Sequence, residues 1–179
     1  AYWQGLDSLL APFMTVSFDA ADRAFGLLQA VIDRWLPNFF LPDNAVALQH
    51  HLASFKQVLS YIDPELSWEL ERGGFHPELY AIPWFLTLFS HALPLDKVCR
   101  LFDPLLLGKP SLPLFVAVAL MQQLRPLLVP LDFNKCVAAF ADMPAIDIDL
   151  CVRQTREFAG RTPAARMLGV GAVVQSFKR

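Results

Sequence analysis

The side chains best placed to do chemistry stand at the start of the chain, in Tyr2-Trp3-Gln4-Gly5-Leu6-Asp7. Gln4 is an amide set between aromatic rings and a glycine. Neighbouring rings restrict where the amide points, and glycine permits a backbone bend that other residues resist. A neutral amide is a poor nucleophile, but it both donates and accepts hydrogen bonds. Held rigidly and aimed outward, it can orient one water rather than attack anything itself.

No other constellation offers a self-contained catalyst. His50 and His51 are adjacent, so on a helix they point roughly 100° apart and cannot form the usual i, i+4 metal pair. His76 and His91 lack a ligand partner at fixed spacing and read as surface or capping residues. Asp142, Asp147 and Asp149 read as helix caps, since carboxylates suit the exposed N–H groups and dipole of a helix start. Cys99, Cys136 and Cys151 have neither metal nor redox spacing. They read as buried free thiols of a reducing, cytoplasmic setting. There is no glycine-rich phosphate loop, nucleophile elbow or zinc spacing. Neither a metal site nor a bound cofactor is expected.

The chain has 179 residues, 55% of them apolar, and a formal net charge of −2. That length supports one domain with a substantial core, and the near-neutral charge argues against nucleic acid as a partner. Arg153, Arg156, Arg161, Arg166, Lys178 and Arg179 make the terminal stretch locally basic, which reads as a solvated face. The longest apolar stretch, 112–121, is too short for a transmembrane helix and contains Pro113. The first residue is Ala rather than Met, which fits an excised fragment.

The elements that must position Gln4 are helices. Leu48, Leu52, Phe55, Leu59 and Ile62 recur in steps of four and three, predicting an amphipathic helix over 44–62 with Asn44 as its N-cap. Helices are also predicted over 25–35, 95–107, 114–128, 133–140 and 146–158. The run 114–128 is apolar almost all round and hence central. Pro83 is expected either to start a helix over 84–92 or to kink a longer one. No period-two pattern or hairpin signal appears. The prediction is one all-α unit, 1–159, followed by a partly mobile tail, 160–179.

Several segments together carry a family resemblance. They are Tyr2-Trp3-Gln4-Gly5, Asp63-Pro64-Glu65-Leu66, the run Tyr80-Ala81-Ile82-Pro83-Trp84-Phe85-Leu86-Thr87-Leu88-Phe89, the run 101–107, and Asp142-Met143-Pro144-Ala145-Ile146-Asp147-Ile148. In this order they resemble the C-terminal part of the TBC domain of Rab GTPase-activating proteins, over residues 2 to about 153. The resemblance implies an all-α fold and a Rab-family small GTPase as partner. GTP and Mg²⁺ would belong to that partner, leaving this chain no cofactor of its own. It implies that Gln4 positions the attacking water, that Tyr2 supports it, and that the chain is an activator rather than a hydrolase. Trp3, Trp84 and Phe85 become candidate partner-binding residues, although Trp84 at helical spacing with Phe85, Leu88 and Phe89 reads first as core. Phe102-Asp103 stands where many such domains have Trp-Asp, and Asp103 is expected to anchor a helix. The setting implied is cytoplasmic, peripheral to endomembranes, in vesicle trafficking.

One part is missing from the pattern. The family's arginine lies in an Ile-x-x-Asp-x-x-Arg motif upstream of the glutamine. Ile146-Asp147-Ile148-Asp149 with Arg153 has the wrong spacing, so no arginine here takes that role. The resemblance therefore implies weak activation, or none, by this stretch alone. A helical interaction module without activating function is the alternative from a different class.

Overall fold

Helix α3, Ala45–Ile62, occupies the stretch that the four-and-three spacing marks out, and buries Leu52, Phe55, Val58 and Leu59. It ends where Asp63 precedes Pro64, because a residue before proline is pushed out of the helical region. Pro64 then opens α4, Pro64–Arg72, at the first helical position, where a missing N–H costs nothing. The Asp63 carboxylate accepts from Leu66 N–H at 2.9 Å, Gln122 Nε2 at 2.7 Å and Arg125 Nε at 2.9 Å. Burial pushes this carboxyl up, but those hydrogen bonds and the Arg125 charge together hold it below the ordinary aspartate value. One side chain thus caps α4 and ties the α3–α4 joint to a later helix, α7 (Leu112–Leu128).

The computed structural model describes residues 3–41 and 44–163. Their order is α1 (Leu6–Val16), α2 (Ala21–Trp35), α3, α4, a 3-10 turn (Pro77–Leu79), α5 (Ile82–Leu86), α6 (Leu95–Leu107), α7, α8 (Phe133–Ala141) and α9 (Ile148–Arg161). Among the described residues there is no strand, so the fold is all-α. Helix α7 is the central post: Pro113 through Met121 are buried on every side, and it packs chiefly against α9 and α3. No helix of the described residues is long and apolar enough to cross a membrane.

Two helices, α1 and α4, have no counterpart in the sequence reading. Helix α1 carries Pro12 in its interior and pairs with α2, while its Phe13 meets Phe102 of α6 with ring centroids 5.7 Å apart. Helix α4 closes on Gly73-Gly74, where Gly74 takes φ +70° and Phe75 N–H reaches back to Leu70 O at 2.9 Å. That closure sends Phe75 into the core, where it stacks on Tyr80 at 5.3 Å.

Other boundaries move for identifiable reasons. The helix expected over 84–92 is only Ile82–Leu86. Phe89 N–H bonds Trp84 O at 2.8 Å, and Leu88 and Phe89 adopt φ of +45° and +69°. Left-handed backbone at a non-glycine residue costs on the order of 1–3 kcal/mol; here it accompanies complete burial of both side chains. Helix α9 begins two residues later than expected. Ile146 O accepts from Lys97 Nζ at 2.7 Å, and Asp147 exchanges both backbone groups with the Gln123 amide at 2.9 and 3.0 Å. Asp147 is its N-cap, accepting from Leu150 N–H at 2.9 Å. Asn44 does not cap α3 with its side chain; its Nδ2 donates to Phe39 O instead. Asp103 is exposed in the middle of α6 and caps nothing. Cys136 and Cys151 are buried free thiols and Cys99 is half-buried. Helix α9 includes Gly160 and Arg161, the first residues expected of a tail; 164–179 lie outside the described residues.

Candidate functional site

Gln4 stands at the corner of a tight turn that leads into α1. Leu6 N–H donates to Trp3 O at 3.2 Å, and Gly5, the third residue of that turn, takes φ +97° and ψ −7°. These are the angles that a type II turn requires at this position, where glycine is strain-free. A second constraint acts on the same residue. A Cβ on Gly5 would lie 2.8 Å from Thr87 Cγ2, closer than real side-chain contacts allow.

Thr87 is itself locked in place. It is buried, its hydroxyl donates to Pro83 O at 2.7 Å, and that oxygen of the hydroxyl accepts from His91 N–H at 3.2 Å. Its carbonyl accepts from Ser90 Oγ at 2.6 Å. The turn that carries Gln4 therefore rests on the strained end of α5, which couples the two sequence motifs in space. Gly5→Ala is expected to destabilise the chain by ~1–3 kcal/mol through backbone strain and this contact. A urea midpoint followed by circular dichroism checks it, and Gly26→Ala, where nothing lies within 4 Å of the added carbon, is the control.

Gln4 is exposed and lines an open cleft of about 480 Å³ with Asp7, Ser8, Pro83, Leu86, Thr87 and His91. The cleft lies at the N-terminus of α1, whose dipole favours negative charge there. Ser8 Oγ and His91 Nδ1, 3.4 Å apart, pair α1 with the segment after α5. No arginine or lysine is among the described residues that line the cleft. The arrangement can hold a water beside an exposed amide on a fixed turn, without an arginine or lysine to neutralise a large negative charge.

The structure separates the sequence-predicted site residues. Gln4 and half-buried Trp3 stay at the turn, and Tyr2 lies outside the described residues. Trp84 and Phe85 are almost wholly buried, 2% and 0% exposed, although Trp84 forms part of the floor of an open groove. Trp84 packs on Tyr80 and Phe140, and Phe85 on Phe55, Phe89 and His51. This burial fits the core reading of the two residues, because α5 turns both rings inward. Sequence reasoning singled out Gly5 but missed Thr87, Ser8 and His91 as its neighbours at the cleft. Thr87 is the one polar interruption of an otherwise apolar run, 82–89, and that was the available signal. Among the described residues no cluster of His, Cys, Asp or Glu could hold a metal ion.

His51, wedged edge-on between Phe39 and Phe85 with centroids 5.1 and 5.2 Å away, is lowered by burial from 6.5 to about 4. The folded chain thus binds fewer protons than the unfolded one between these values, so stability falls as pH drops from 6.5 towards 4. The loss reaches about 3 kcal/mol at most. Unfolding free energies of wild type and His51→Phe across that range check it; the variant should show a shallower slope.

Comparison with known proteins identifies the family. The model of the Rab-GTPase-TBC domain matches residues 1–129. The chain is 48% identical over 162 residues to the TBC domain-containing protein kinase-like proteins of Gallus gallus and Homo sapiens, covering 90% of this chain and 18% of each relative. It is 37% identical over 142 residues to the GTPase-activating protein GYP5 of Eremothecium gossypii, covering 79% of this chain and 17% of that protein. The chain thus spans less than a fifth of the length of these relatives. On the family match and these identities, the chain belongs to the RabGAP-TBC family.

Proposed function

We propose that this chain is part of a GTPase-activating domain in which Gln4 orients the water that attacks GTP bound to a Rab-family GTPase. The observation that carries the reading is the clamped turn: Gly5 at φ +97° against Thr87 fixes the backbone that carries exposed Gln4 beside a cleft. Phosphoryl transfer needs positioning and charge stabilisation rather than covalent help from the protein, and a fixed amide supplies the first. The Rab holds the GTP and Mg²⁺, so this chain needs no cofactor and acts in trans as an activator, not as a hydrolase. This chain's share of the activating unit spans 1–159, with Tyr2 in a supporting role to Gln4 and Trp3 a contact for the Rab. An arginine from elsewhere in the complete protein supplies the charge stabilisation. The work takes place on the cytoplasmic side, peripheral to endomembranes, in vesicle trafficking.

The absence of a cation among the described cleft residues favours a second reading, a helical interaction module that binds a partner without activating it. Single-turnover hydrolysis by GTP-loaded Rab GTPases, with the complete protein added, decides between them. Acceleration that Gln4→Ala abolishes supports the activator. Rab binding with unchanged hydrolysis, and no effect of Gln4→Ala, supports the interaction module.

A further inference from the structure

A second depression adjoins the Gln4 cleft, with Pro83 and His91 lining both. It is an open groove of about 610 Å³ between the Pro77–Leu79 turn, α5 and α8. Its floor is aromatic, from Phe75, Tyr80, Trp84 and Phe140, and its rim is exposed hydrocarbon, with Leu79 57%, Phe133 45% and Val137 47% exposed. Asp, Glu, Lys and Arg are absent from the described residues that line it. The Tyr80 hydroxyl is buried and has no hydrogen-bond partner among the described residues. Large apolar side chains left open beside a polar cleft mark a place where another protein completes the surface.

We infer that this groove receives an apolar segment of the same GTPase whose bound nucleotide faces Gln4. The inference rests on the activator reading of Gln4. Two observations point to that occupant. Continuity through Pro83 and His91 lets one partner reach both depressions at once. The uncharged lining, with Leu79, Phe133 and Val137 exposed at its rim, matches an aliphatic or aromatic side chain.

The test is single-turnover hydrolysis by the complete protein across a panel of GTP-loaded Rab GTPases, titrated to saturation. Val137→Glu, and separately Phe133→Ser, should raise the half-saturating concentration for the accepted Rab by about tenfold and leave the plateau rate unchanged. Leu107→Glu, 89% exposed and away from the groove, should change neither quantity. Half-saturation within roughly twofold of wild type for both groove variants would overturn the inference. So would dissociation of a dimer by Val137→Glu, which would identify a second copy as the occupant. Tighter Rab binding after removal of 164–179 would identify the chain's own end as occupant and overturn it too. Silent groove variants alongside an effective Gln4→Ala remove the groove proposal alone. A wild type that accelerates no Rab removes the activator reading, and the groove proposal with it.

Discussion

Residues 1–179 alone, mixed with a GTP-loaded Rab, are expected to leave hydrolysis within about tenfold of its intrinsic rate, some 10³–10⁵ short of a domain that also inserts an arginine. The reason is the division of labour in phosphoryl transfer. The Gln4 amide is neutral; it can align a water but cannot neutralise charge that develops on the transferring group. The described residues around it provide Asp7, Ser8, Thr87 and His91, but no arginine or lysine. An arginine contribution of that size corresponds to about 4–7 kcal/mol of barrier, far more than a helix dipole offers. Phosphate release in single-turnover mixtures of chain and Rab measures it. A rate matching the complete protein would show that this stretch carries its own cation.

Phe85→Ala is expected to cost the chain ~3–5 kcal/mol of stability, enough to unfold a large fraction of a marginally stable domain. Phe85 is fully buried, with the rings of His51, Phe55 and Phe89 at 5.2, 5.7 and 6.3 Å. Truncation would open a cavity where α3 meets α5 and loosen the platform under Thr87. Urea unfolding of Phe85→Ala beside Trp3→Ala separates core from surface, since half-buried Trp3 has less to lose. If Phe85→Ala shifted stability by under ~1 kcal/mol yet weakened Rab binding, the ring would be a partner contact after all.

Helix α3 and helix α6 were legible almost to the residue, because each alternates one apolar stripe with a polar face and ends at proline or glycine. The Asp147 cap was legible for the same kind of local reason. Helix α1 was not, since 8–14 is almost wholly apolar and Pro12 reads as a breaker; its place comes from packing on α2 and α6. The short extent of α5 was hidden because Leu88 and Phe89 look helical, and only their burial explains the left-handed turn. Gln4 could be singled out from its neighbours in sequence. Its support could not: Gly5 and Thr87 are far apart in the chain, and their contact is a tertiary fact. The burial of Trp84 and Phe85 was legible, since a tryptophan at helical spacing with Phe85, Leu88 and Phe89 reads first as core.

The most direct measurement is the plateau rate of single-turnover GTP hydrolysis by an accepted Rab, with the complete protein at saturation, for wild type and Gln4→Ala. An amide that orients the attacking water acts on the chemical step, so the plateau should fall by ~10²–10³ while the half-saturating concentration stays unchanged. An unchanged plateau, or a loss seen only in half-saturation, would contradict the assignment of Gln4 as the water-positioning group.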